Sequence, residues 1–336
     1  MQVSEARMAL MRLVSGYRHS QCLRVAAELE LPERLASGPR SAADLAAECG
    51  AHAPSLRRLL RVLVAMQVLT EEPPERFGLT ALGEQLGAEF AGPAARLFNS
   101  PTDWNAWLNL GHSIKTGERA FDFAYGMRGW DYYAAHPEVG TLFDKVMSAN
   151  TLPVAASIAD AFDFSRFPVI ADVGGGDGTL LMGILRRYPS IRGIVFDRPD
   201  VIERARKRIA DAGMADRCEV VSGNFMEHVP TGADAYVMKW IIHDWTDPES
   251  IRILERCHAA GDAKRAHVIV IERVLPERIG PDDLEALSAD LNMMVMPGGL
   301  ERTEAEFQDL FALAGYSLER VVPTGTHLQI LEAVPR

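Results

Sequence analysis

From Phe167 onward the chain alternates short apolar runs with helical stretches, and this rhythm limits its fold more than any other feature. PVIADVG, IRGIVFD, CEVVSG, DAYVMKWII and AHVIVIERV read as strands, and TLLMGILRRYP, DVIERARKRIADAG and DPESIRILERCHAAG as helices between them. Strands joined by helical crossovers lie parallel in one sheet with helices on both faces, so an α/β, Rossmann-like sheet is expected. After the helix TEAEFQDLFALAG, the extended runs YSLERVVPTG and THLQILEAV meet at a Gly turn. That closing hairpin puts an antiparallel strand at or near the sheet edge.

The first hundred residues follow a different pattern. VAAELELPERL, SAADLAAECG and SLRRLLRVLVAMQVL carry apolar residues at helical spacing, and Ser41 stands before Asp44 at capping-box spacing. TEEPPERFGLTALGEQL then reads as an acidic-Pro turn, a short extended FGLT and a helix, so the order is that of a winged helix. Residues 101–165 are helical and rich in aromatics, including Trp104, Trp107, Phe121, Tyr125, Trp130 and Phe143. The expected organisation is a winged-helix-like domain over 1–100, a helical connector over 101–165 and the α/β domain over 166–336.

A winged helix with Arg57, Arg58 and Arg61 raises the question of DNA. The net charge of -11 and the acidic TEEPPER answer it, because both repel a phosphate backbone. Nucleic acid is therefore not expected as a partner. The N-terminal MQVSEARMALMRLVSGYRHS lacks the apolar core of a secretory signal, and no stretch approaches the ~20 apolar residues of a membrane span. Cys22, Cys49, Cys218 and Cys257 are scattered and form no CxxC pair. They read as reduced thiols, and the expected compartment is the cytoplasm.

VIADVGGGDGTLLMGIL places Asp172, Gly174, Gly176 and Gly178 between a buried strand and a helix, the position of a cofactor cradle. A dinucleotide site wants Gly or Ala at position 179, where this chain has Thr179, so the GxGxG spacing favours S-adenosylmethionine over NAD. Asp197 ends the next strand, where a carboxylate can accept both ribose hydroxyls. Asn224 and Phe225, in GNFM at the third strand end, are placed to meet an adenine edge and face.

The fourth strand runs into KWIIHDW, which puts His243 and Asp244 just past its carboxyl end, on the edge that faces the ligand crevice. A hydroxyl that attacks a sulfonium methyl must lose its proton, and a neutral imidazole can take it. His243 is the expected general base. Glu272, ending the fifth strand, and Glu301, in GGLERTEAEF, are alternative carboxylates for orienting it. Lys239 and Trp245 flank the same strand end, where an aromatic face can favour the sulfonium. No HExxH, CxxC pair or clustered His/Asp triplet is present, so no metal is expected.

These motifs together resemble the plant and bacterial O-methyltransferase family of caffeic acid, hydroxyindole and antibiotic-tailoring enzymes. DVGGGDG, Asp197, KWIIHDW, IERVLP and PGGLERTEAEF followed by AGY occur in family order over nearly the whole chain. The resemblance implies that Gly174 and Asp197 hold S-adenosylmethionine, that Phe225 packs at its adenine and that Lys239 lies beside it. It likewise implies His243 as base, flanked by Glu272 and Glu301. Phe143 and Met147 match positions that clamp an aromatic acceptor, and Asp290, Asn292, Met293 and Met296 match a stretch lining the same pocket. The N-terminal region would form a homodimer with swapped helices. Where the family usually carries Asp, this chain has Asn224, whose carbonyl can still accept a hydrogen bond from the adenine amino group. The expected acceptor is a hydroxyl on a small aromatic, of which a phenazine or a polyketide is the favoured kind.

Overall fold

The computed structural model describes residues 2–73, 75–89, 91–261 and 265–336. They divide into two compact units, Met1–Trp104 with Glu138–Ala149, and Asn105–Pro137 with Asn150–Arg336. The helical segment 101–165 is thus shared between the two. Its long helix Pro137–Ala161 contributes residues 138–149 to the first unit and 150–161 to the second.

In the first unit, helices Gln2–Val14, Tyr17–Glu28, Leu31–Leu35, Ala42–Cys49 and Ala53–Ala65 accompany a small sheet. Strands β1 (Arg40–Ser41), β2 (Leu69–Glu72) and β3 (Arg76–Leu79) form it in the order β1-β3-β2, all antiparallel. Pro74, part of the expected acidic-Pro turn, lies outside the described residues. Ser41 caps its helix as its spacing implied, its Oγ accepting from the Asp44 N–H at 3.1 Å and donating to the Asp44 carboxylate at 2.7 Å. Leu56, Leu60 and Leu63 line one face of Ala53–Ala65 and are buried with Leu45 and Phe77. Each such side chain contributes about 1.5–3 kcal/mol of apolar burial. Arg57, at the flank of that face, pairs with Glu75 beside β3.

The second unit is built on a seven-stranded sheet. Its members are β4 (Val169–Val173), β5 (Arg192–Asp197), β6 (Cys218–Ser222), β7 (Ala235–Lys239), β8 (His267–Glu272), β11 (Tyr316–Pro323) and β12 (Gln329–Pro335). Short strands β9 (Val274–Leu275) and β10 (Arg302–Thr303) pair parallel beside it. The order is β11-β12-β8-β7-β4-β5-β6, parallel from β8 to β6, with β12 antiparallel to β8 and β11 antiparallel to β12. Two separate cores cover its faces, one containing Leu181, Ile184 and Val195, the other Phe196, Ile253 and Phe311. Strand order reverses at β4, whose neighbours are β5 and β7. That reversal opens a crevice at the carboxyl ends of these strands.

Two strands end earlier than their apolar runs suggest. DAYVMKWII stops at Lys239, because Trp240 turns into the left-handed region at φ 56°. AHVIVIERV breaks at Arg273 into β8 and β9. All four cysteines are free; Cys218 and Cys257 are buried, Cys22 and Cys49 half-buried. Among the described residues no helix is long and apolar enough to cross a membrane.

Candidate active site

Asp172, the penultimate residue of β4, is buried and its Oδ2 has no hydrogen-bond partner. Burial, with Asp197 nearby, pushes its carboxyl up to about 7. The chain then leaves the strand through Gly174 at φ 72° and Gly176 at φ 58°. A Cβ on Gly174 would lie 2.3 Å from Ile241 Cδ1, whereas one on Gly176 would meet nothing within 4 Å. The loop is therefore closed on its strand side and open at Gly176, where a ligand can approach the backbone. Asp197 joins it from the end of β5: Oδ2 accepts from the Gly176 N–H at 2.8 Å and Oδ1 from the Arg198 N–H at 2.7 Å. Each oxygen keeps a further lone pair for a ribose hydroxyl.

Asn224 is exposed and its amide is engaged in a local turn, Oδ1 accepting from the Met226 N–H at 3.0 Å and Nδ2 donating to Glu227 at 3.1 Å. One acceptor lone pair remains for an adenine amino group. Phe225 meets Trp245 edge to face at 5.7 Å, and its Cε1 is 3.7 Å from where a Gly174 Cβ would stand. An aromatic corner thus adjoins the glycine loop. Lys239 ends β7, donates to Thr151 Oγ1 at 3.0 Å and lies 3.4 Å from the centre of the Trp240 ring. Burial lowers its amine to about 7. The same burial drives Asp172 and Lys239, both at the carboxyl ends of neighbouring strands, toward their neutral forms.

His243 sits in a one-turn 3-10 helix, Ile242–Asp244, and is buried. Its Nδ1 is 3.1 Å from Glu301 Oε1. A carboxylate can only accept, so Nδ1 carries a hydrogen, and Nε2, 3.5 Å from Asp244 Oδ1, is the nitrogen that can act as a base when the ring is neutral. Glu272 does something else. Its Oε1 accepts from the backbone N–H groups of Ile241 and Ile242 at 3.0 and 3.1 Å, while its Oε2 stands 3.5 Å from Nδ1 without a hydrogen-bond partner. Glu301 orients the imidazole and Glu272 shapes the turn that carries it. Burial works against a charged His243, yet Glu272, Asp244 and Glu301 outweigh it and push the imidazole up to about 10. Burial in turn pushes Glu272 up to about 7 and Asp244 up to about 6. The three ligand-type atoms of His243, Glu272 and Glu301 lie within 4.8 Å of one another, a spacing that could hold a metal ion, and the contact between His243 Nδ1 and Glu301 is part of that cluster.

Two residues that sequence reasoning did not single out for this turn complete it. Arg302, fully buried, donates to the carbonyls of Ile242 at 3.2 Å and Trp245 at 3.0 Å, and to Asp247 at 2.7 Å. Gly299 packs so tightly that a Cβ there would stand 2.0 Å from the His243 carbonyl oxygen. Both flank Glu301 in GGLER, so their adjacency to a candidate carboxylate was the available signal. Asp290, expected beside the acceptor, accepts from the Glu301 N–H at 2.9 Å and so fixes the loop bearing that carboxylate. Asn292 accepts from the Trp107 indole N–H at 3.1 Å, and Met296 is buried with Phe121 and Val295. Met293 lies on the same helix, Leu284–Val295, half-buried. Phe143 and Met147 belong to the 138–149 segment of the first unit.

Residues 107–317 match the O-methyltransferase domain family, and residues 11–88 match the O-methyltransferase dimerisation domain. The chain belongs to the O-methyltransferase family. Phenazine O-methyltransferase PhzM of Lysobacter antibioticus is 40% identical to this O-methyltransferase over 328 residues, 97% of this chain and 95% of that one. The crystal structure of LaPhzM matches it with a TM-score of 0.94 at 40% identity, covering 98% of this chain and 99% of that chain. An O-methyltransferase (NcsB1) from neocarzinostatin biosynthesis, solved with S-adenosylmethionine and 2-hydroxy-5-methyl naphthoic acid, matches with a TM-score of 0.81 at 33% identity, covering 95% and 96%. The glycine loop, Asp197 and the Phe225–Trp245 corner of this O-methyltransferase fit S-adenosylmethionine, its methyl donor.

Proposed function

We propose that this O-methyltransferase methylates a hydroxyl on a polycyclic aromatic secondary metabolite, with His243 as general base. The orientation of His243 carries the reading: Glu301 occupies Nδ1 at 3.1 Å, which leaves Nε2 to take the hydroxyl proton. S-adenosylmethionine supplies an electrophilic methyl on a sulfonium whose positive charge also disfavours a second cation at His243. The chain's own residues do the rest. Asp197 and the loop at Gly176 hold the ribose side, and the Phe225–Trp245 corner holds the base. Asp172 and Lys239 flank the strand ends between the cradle and His243. As the hydroxyl oxygen attacks, its proton passes to Nε2, and Glu301 and Glu272 stabilise the imidazolium that forms.

The phenazine named for one relative and the naphthoic acid bound in another support a fused aromatic acceptor. Asp290, Asn292 and Met293 on the helix Leu284–Val295, and Met296 at its C-cap beside Phe121, are the residues of this unit assigned to its pocket. The matched dimerisation domain supports a homodimer with swapped N-terminal helices. The test incubates the purified protein with S-adenosylmethionine and a panel of hydroxylated phenazines and naphthoates, wild type beside His243→Ala. Mass spectrometry follows S-adenosylhomocysteine and the methylated product. Product from wild type and a loss of about 100-fold or more in the variant are expected. Cofactor binding without methylation of any acceptor would overturn the proposed substrate class, and an active His243→Ala would overturn the base.

A further inference from the structure

Trp240 directly follows Lys239, the last residue of β7, and its backbone is left-handed at φ 56°. A bulky aromatic residue takes up that conformation against steric resistance from its own Cβ, whereas glycine adopts it freely. It persists only where the surroundings over-determine it. Here β8 does so. The Trp240 N–H donates to the Ile271 carbonyl at 3.3 Å, and the next two N–H groups, of Ile241 and Ile242, both go to Glu272 Oε1. Glycine would make the same turn at lower cost, so a tryptophan at this position has to be explained by what its ring touches.

The indole touches the groups around the reaction. The Lys239 Nζ lies 3.4 Å from its centroid while donating to Thr151. The His243 imidazole runs nearly parallel to it, at 11° and 6.4 Å between centroids, and the His327 ring stacks on it at 28° and 5.9 Å. These are offset-stacked separations. The Nδ1 bond to Glu301 fixes where the imidazole points, and Glu272 Oε2 and Asp244 Oδ1 stand 3.5 Å from its nitrogens, but in-plane contacts leave a flat ring some freedom to rock out of its plane. A parallel aromatic plane removes this freedom.

We propose that Trp240 is a positioning residue for methyl transfer, whose indole sets the plane of the His243 ring and seats the Lys239 ammonium against Thr151. The proposal rests on the reading of His243 as general base. Trp240 acts through His243 and Lys239, so its loss lowers kcat more than it changes binding.

The experiment compares full-length Trp240→Gly, Trp240→Phe and His243→Ala with wild type, using S-adenosylmethionine and the best acceptor of the panel. Glycine suits the left-handed turn and removes the ring. Trp240→Gly is expected to lose about 10-fold or more in kcat, with both KM values and the directly measured S-adenosylmethionine Kd within about 3-fold of wild type. Trp240→Phe, which restores an aromatic plane, is expected to recover most of the lost rate. A Trp240→Gly enzyme with wild-type kcat, or a loss carried by KM, would overturn the proposal, as would a Phe variant no better than Gly. Should Trp240→Gly fail to bind the cofactor or to unfold cooperatively, Trp240→Phe against Trp240→Leu decides. Near-wild-type kcat for Phe with about 10-fold less for Leu supports the role, and equal rates overturn it. His243→Ala separates the two readings: if it is inactive while Trp240→Gly is unimpaired, the positioning role alone falls. If it remains active, the general-base reading falls and the positioning role with it.

Discussion

Glu272 and Glu301 both reach within 3.5 Å of His243 Nδ1, and only their remaining bonds tell them apart. One oxygen of Glu272 is committed to two backbone N–H groups, so its charge acts on the imidazole through space, whereas Glu301 makes the hydrogen bond. Glu301→Gln tests this division, because a glutamine carbonyl can still accept from Nδ1 while the negative charge is gone. Glu301 is among the groups raising His243 toward about 10, so its neutralisation lowers the imidazole pKa. A general base works when neutral, and kcat/KM rises with pH through the pKa of the free enzyme's base. The rising limb of the pH profile is therefore expected to move to lower pH in Glu301→Gln, while the plateau falls by about 10-fold as imidazolium stabilisation is lost. An unmoved limb would mean that Glu301 does not set the proton affinity of His243. The sequence alone left Glu272 and Glu301 equivalent, because nothing in a linear chain shows that residues 241 and 242 would turn back upon β8.

At the scale of elements, the site is a joint between the end of β7 and the loop before the helix Glu304–Leu313. Gly299 makes the joint possible. A methyl there would stand 2.0 Å from the His243 carbonyl oxygen and 2.5 Å from the backbone at Asp244 and Trp245, and neither side has a flexible side chain to yield. Gly299→Ala is expected to cost about 1–3 kcal/mol of stability in urea unfolding. It should also lower kcat by about 10-fold or more, since moving the loop carries Glu301 off Nδ1. S-adenosylmethionine affinity should fall less than kcat, since Asp197 and the Gly176 loop stand at the ends of other strands and only Trp245 of the cofactor corner adjoins Gly299. A variant of unchanged stability and rate would show that the loop can shift without cost. The strands and helices that make this joint were legible from residue 167 on, and so was the closing hairpin, because parallel strands buried on both faces read as continuous apolar runs. The exact strand ends were not. DAYVMKWII is apolar to its last residue, and what stops it at Lys239 is a tertiary grip by Glu272, 31 positions away from Ile241. Nor does a linear spacing reveal that Asp290 fastens the loop of Glu301.

For the molecule as a whole, the N-terminal helix Gln2–Val14 leaves Met8, Leu10, Met11, Leu13 and Val14 exposed, and its last turn, residues 11–14, lies within the matched dimerisation domain. An amphipathic helix with an uncovered apolar stripe is destined for another surface. A second copy is the occupant this family supplies. Arg57 of the winged-helix pattern is paired with Glu75, and the chain carries a net charge of -11. In light scattering coupled to size exclusion, the protein is expected to run at twice its 36.9 kDa chain mass at micromolar concentration. Leu13→Glu buries a charge in the contact if the helix lies there, and dissociation or a weakening of about 10-fold or more is expected. Because a dimer is stabilised by mass action, the thermal midpoint of wild type should rise with protein concentration and that of Leu13→Glu should not. A wild-type protein of monomer mass with a concentration-independent midpoint would refute the dimer. A dimer indifferent to Leu13→Glu would move its contact off this helix.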